Sequence, residues 1–91
     1  MKLFLIHVGF YDLEIMDGIY EQHSNYFVAA ENIKNAKRKA KNNSLYKKKK
    51  MHIDGIQEIN VVDKFRITLQ PESGDNDSVI YSYDEVKNLP E

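Results

Sequence analysis

Three observations predict that this 91-residue sequence folds as an α+β, two-layer domain. An apolar run of strand length lies at Leu3–Phe10, a capped helical pattern opens at Asn32, and strand patterns return at Met51–Asn60 and Lys64–Gln70. The expected order is β-β-α-β-β: an antiparallel sheet with one main helix against it and room for an extra C-terminal strand. Strands in pairs around a single helix are the mark of this class, whereas strict strand–helix alternation would point to a parallel sheet.

The run Leu3–Phe10 (LFLIHVGF) is continuously apolar, which predicts a central strand covered on both faces. His7 inside it reads as a core histidine held by a hydrogen bond. Tyr11–Gly18, with Asp12, Glu14 and Asp17, reads as a loop. Ile19–Ala29 follows as a strand interrupted by the turn formers Ser24 and Asn25, with Tyr26–Ala29 its better-paired half.

Asn32 is a helix cap, and Ile33, Ala36 and Ala40 recur at i, i+3 and i+7. That narrow stripe of small side chains lets the helix lie close to the sheet, with Lys34, Lys37, Arg38 and Lys41 on its other faces. Asn42, Asn43 and Ser44 end it. In Met51–Asn60, Gly55 shifts the apolar alternation from Met51 and Ile53 to Ile56, the signature of a bulge. Asp63 and Lys64 turn the chain, and Phe65, Ile67 and Leu69 then alternate inward against Lys64, Arg66, Thr68 and Gln70. The last two strands are expected to pair as a hairpin with one wet face. Pro71–Ser78 has linker composition, and Val79–Tyr83 reads as a short strand that docks on the sheet or pairs with a second copy. Residues 1–70 are thus expected to form a single domain, and residues 71–91 an acidic, partly flexible extension.

Apolar residues supply 42% of the chain, charged residues 30%, and the formal net charge is −1, which excludes collagen-like and wholly disordered classes. No stretch approaches the ~18 apolar residues of a membrane span. Leu3–Phe10 is too short for a secretory core, so the expected compartment is the cytoplasm and no membrane partner is expected. Without cysteine there is no disulfide, thiolate nucleophile or sulfur-ligated metal. The wealth of Lys, Asn, Ile, Tyr and Phe over Gly, Ala, Arg and Pro suits an AT-rich bacterial genome. A domain this small closes its stability balance narrowly, which favours a homodimer or a protein partner.

Overall neutrality hides an asymmetry. Nine of the 13 basic residues fall between Lys34 and Lys50, and no acid occurs from Asn32 to Ile53. From Pro71 onward, Glu72, Asp75, Asp77, Asp84, Glu85 and Glu91 oppose only Lys87. Such patterning fits nucleic acid or an acidic partner, or an acidic tail folded onto the basic segment of its own chain.

Catalytic signatures are missing. The sequence has no glycine-rich phosphate loop, no nucleophile elbow and no His-Glu-x-x-His, and an enzyme is the less favoured reading. The best polar constellation is Glu21, His23, His52 and Asp54. Each pair is two residues apart and shares a strand face. If the strands are neighbours, the four groups could ligate a divalent metal such as zinc or serve as an acid/base pair; the plainer reading is two structural histidines. A second candidate surface is Tyr46, Lys47, Lys48, Lys49 and Lys50 with Arg38 and Lys41, which could grip phosphates.

Glu21-Gln22-His23 before Tyr26-Phe27, then Met51-His52-Ile53-Asp54, Glu58-Ile59 and Val61–Ile67, together resemble the bacterial domain-of-unknown-function 1543 family. The likeness spans about residues 1–70 and omits the tail. By resemblance, Glu21, His23, His52 and Asp54 match the family's motif positions. Three positions depart from its pattern: Ser24 stands in place of an aspartate, lysines around Leu45–Lys50 replace an aromatic stretch, and Lys64 occupies a hairpin position where glycine is common. The first departure implies that a ligand or base is lost. The family supplies no activity. The leading expectation is therefore a self-associating binding or interaction module, beside a metal or acid/base site and a nucleic-acid binder through Lys34–Lys50.

Overall fold

The computed structural model describes residues 1–90. Its centre is β1 (Lys2–Tyr11), flanked on one side by β2 (Glu21–Ala30) and on the other by β3 (His52–Ile59), both antiparallel to it. After β2 come α1 (Ile33–Lys41) and α2 (Ser44–Lys48). After β3, β4 (Val61–Val62) and β5 (Phe65–Arg66) form a separate two-stranded ribbon, and α3 (Tyr83–Lys87) lies in the tail. The chain is α+β, with an antiparallel sheet under one helical layer.

Alternation along β1 divides the sheet into two faces. Phe4, Ile6 and Val8 are 0–1% exposed beneath the helices, and with Ala30, Ala36, Ala40 and Met51 they form the buried core. Ala36 and Ala40 are the α1 residues buried there, as the small-residue stripe predicts. Asn32 caps α1 by accepting the Asn35 N–H at 2.9 Å. The Tyr26 hydroxyl donates to the Ala40 carbonyl at 2.9 Å and ties β2 to the end of α1, while burial pushes its phenol pKa up.

The other face of β1 carries Leu3, Leu5, His7 and Gly9, and no helix covers it; the strand is central but not enclosed on both sides. His7 is accordingly half-buried on this open face. Its Nδ1–H donates to Asn25 Oδ1, so the hydrogen bond is there but the core setting is not.

Three further expectations are corrected, and one is extended. β2 runs unbroken through Ser24 and Asn25, because their partners Val8 and His7 continue the ladder and override local turn preference. The main helix ends after Lys41, as expected, but Asn43 also starts a second one: its side chain accepts from the Leu45 and Tyr46 N–H groups and caps α2, a helix the pattern did not predict. The 64–70 segment does not pair with β3. Only Phe65–Arg66 is strand, opposite Val61–Val62, and Phe65 is 76% exposed rather than inward. Among its described residues the tail forms no strand; α3 opens at Tyr83, capped by Ser82, and Val79, Ile80 and Tyr81 stay exposed. Its extension is visible in a radius of gyration of 16.0 Å, against about 12 Å for a compact chain of this length.

Gly55 does mark a bulge. His7 pairs with Gly55 and Val8 with Ile53, leaving Asp54 as the surplus residue of β3.

Candidate metal centre

The open face near the C-terminal end of β1 gathers one polar group after another. On β2, Glu21 and His23 lie opposite Tyr11 and Gly9. On β3, His52 lies on the other side of the same Gly9. Gly9 is thus flanked by both histidines, and period-two alternation adds Glu21 and Asp54 to the same face.

The side chains meet. His52 Nε2 lies 2.9 Å from Glu21 Oε1 and 3.2 Å from Asp54 Oδ1. Asp54 turns its second oxygen to His23, with Oδ2 3.2 Å from Nδ1. The remaining His23 nitrogen, Nε2, is 3.9 Å from Glu21 Oε1. Glu21, His52 and Asp54 each offer a ligand atom within 4.8 Å of the others. All four sequence-predicted residues are therefore brought together, on two strands that do not touch each other and meet only across β1. They are largely exposed, so as ion pairs they contribute little to stability.

Gly9 is the residue the sequence reading missed. A Cβ at this position would collide with Glu21 Oε1, and would sit 2.6 Å from His52 Nε2 and 2.9 Å from Asp54 Oδ2. The only side chain that lets three donor groups close over the central strand is the absent one. The signal was available: a glycine inside an apolar strand marks a close approach.

Position 24 is also clarified. Ser24 pairs with Val8, on the helix-covered face opposite the cluster. The expectation that serine there removes a ligand is overturned by strand alternation: no side chain at position 24 reaches this site from β2.

The basic candidates are not one surface. Tyr46 is half-buried, packed against the core. Lys49 is drawn to Asp12 at 2.7 Å, with its ammonium 5.5 Å from the centre of the Phe10 ring. The Lys49 hydrogen bond, with a backbone N–H from Glu14, holds the Asp12 carboxyl below its ordinary value. Arg38, Lys41, Lys47, Lys48 and Lys50 remain exposed. No ion pair joins them to the acidic tail among the described residues.

Residues 18–69 match the family described as Domain of Unknown Function (DUF1543). No curated protein and no solved structure matches the chain significantly. The matched stretch contains Glu21, His23, His52 and Asp54 but begins after Gly9.

Proposed function

The chain belongs to the DUF1543 family, and from that premise we propose that it is a binding module for a divalent transition-metal ion such as zinc. Glu21, His52 and Asp54 are the ligands, and His23 fixes the free oxygen of Asp54 as an outer partner. Imidazole nitrogen and carboxylate oxygen together suit zinc and its first-row neighbours, whereas calcium and magnesium take oxygen alone. The separations fit. A tetrahedral zinc with bonds of about 2.0–2.1 Å places its ligand atoms about 3.3 Å apart, and two of the pairs here stand at 2.9 and 3.2 Å. Three protein donors leave a coordination position for water or a ligand, the pattern of a working rather than a purely structural centre.

The observation that carries this reading is Gly9: three potential ligands converge on a space that any larger residue would occupy. The test is calorimetric and NMR titration with zinc. One equivalent is expected to bind and to shift His52 and His23 together, with His7 unmoved. His52→Ala abolishes binding, while Gly9→Ala weakens it at least ~10-fold, about 1.4 kcal/mol, with an unchanged melting temperature in the absence of metal. Histidine resonances indifferent to equimolar zinc, or a Gly9→Ala chain that binds as tightly as the native one, would sink the proposal.

A further inference from the structure

Two surfaces of the chain are left unpaired, and each has what the other lacks. The first is the outer side of the helical layer. Lys34, Lys37, Arg38 and Lys41 lie on α1 opposite the buried Ala36 and Ala40, and Lys47 and Lys48 extend the charge onto α2. All six are exposed, and none has an acidic partner among the described residues. Two apolar side chains of the same helical layer also stand in water: Ile33, at the edge of the buried stripe, is 57% exposed and Leu45 48%.

The second surface is the tail. Asp75 and Asp77 precede, and Asp84 and Glu85 follow, an apolar centre in which Val79 is 74%, Ile80 86% and Tyr81 63% exposed. Three large apolar side chains in a row held in solvent, with acids on both flanks, have the composition of a docking segment rather than of a passive linker.

We propose that the outer face of α1 and α2 is the binding surface for residues 75–85 of a second copy of this chain, exchanged reciprocally between two protomers. Charge complementarity carries the match, with acids on both flanks facing helix lysines while the apolar centre covers Leu45 and Ile33. Within one chain both surfaces stay open, so the protomer's own fold does not satisfy them. A two-fold pair satisfies both at once, because each protomer gives a tail and receives one. Nucleic acid is the weaker occupant, since Tyr46 is half-buried against the core and the surface holds one arginine among its lysines. The interface is independent of the metal centre, which lies on the opposite face of the sheet.

The test uses light scattering on the full-length chain and two charge-swapped variants. The native chain is expected to pass from the 10.7 kDa monomer to twice that mass as concentration rises, and to return to monomer in 0.5 M salt. One variant makes the tail basic (Asp75→Lys, Asp77→Lys, Asp84→Lys, Glu85→Lys). The other makes the helix face acidic (Lys34→Glu, Lys37→Glu, Lys41→Glu, Lys48→Glu). Each alone sets like charge against like charge and remains a monomer; mixed, they form a heterodimer, because each tail then meets an opposite helix face. Circular dichroism melts confirm that both are folded. A native chain that stays monomeric at every concentration overturns the proposal, as does association that the swaps leave unchanged or variants that fail to pair on mixing. DNA or RNA bound by the native chain in preference to a second copy would assign the surface to nucleic acid instead.

Discussion

The two faces of the central sheet are made from the same ten residues of β1, yet they behave as different materials. Phe4, Ile6 and Val8 point under the helices and are sealed from water. Leu3, Leu5, His7 and Gly9 point the other way, onto a face no helix covers. Side-chain alternation allows this separation: one strand serves stability through its even positions and carries a constellation of ionisable groups over its odd ones. Packing on one side and chemistry on the other can therefore be altered almost independently.

The largest expected effect tests that independence directly. Phe4→Ala should cost about 3–5 kcal/mol, because it opens a cavity in a core of seven buried residues among those described. Leu5→Ala, one residue along and half-buried on the open face, should cost clearly less. Urea unfolding of the two variants measures the contrast, and equal losses would break the distinction between faces.

A smaller effect sharpens the picture of how the helical layer is held. Tyr26→Phe removes the hydroxyl that reaches the Ala40 carbonyl, and should cost about 1 kcal/mol. The variant should bind zinc as the native chain does, since Tyr26 pairs with Ile6 on the helix-covered face. Altered zinc affinity would show the two faces to be coupled.

Beyond the sheet, Asp63 and Lys64 both adopt left-handed backbone, with φ of 50° and 72°, in the two-residue turn between β4 and β5. That is the conformation of a tight hairpin turn that favours glycine at its second position. Lys64→Gly should stabilise the chain by up to about 1 kcal/mol, read as a small rise in denaturant midpoint. A fall would show that the lysine side chain holds the ribbon in place.

The smallest effect is one of shape. Asp12 has its carboxyl pKa lowered in the folded chain by Lys49. A depressed folded value means that its contribution is present above the ordinary carboxylate pKa and is lost as pH falls through the folded value. Asp12→Asn should therefore cost a little stability at neutral pH and flatten the acid limb, with the difference from the native chain shrinking as pH falls below about 4. A loss that persists undiminished at acid pH would contradict the ion pair.

Most of the sheet was legible because its signals were long and periodic. The apolar run of β1, the Asn32 cap and the Gly55 shift each had one reading, and each appears where it was read. What failed was local chemistry without tertiary context. Ser24 and Asn25 have turn preferences, but the ladder to Val8 and His7 outweighs them. Phe65, Ile67 and Leu69 alternate faultlessly, yet only Phe65 finds a strand partner, in Val62 rather than on β3, and a pattern alone cannot choose the partner. The four polar side chains of the cluster were legible as two pairs; that β1 would carry a glycine between them required the register. Gly9 was readable only as a punctuation mark until its neighbours across the ladder were known.

The bulge in β3 gives this register an evolutionary meaning. Ile53 pairs with Val8 and Gly55 with His7, so removing Asp54 alone would leave a continuous ladder with every other residue on its present face. A one-codon deletion could thus erase a ligand while sparing the fold, and its reversal could restore the ligand just as cheaply. Removing Gly55 instead would also close the ladder and keep Asp54 on the open face, opposite His7, whereas removing Ile53 would bring Asp54 opposite Val8 and mix core with site. The proposed ligand is in this sense a detachable insertion, separable by a single indel from the scaffold that presents it.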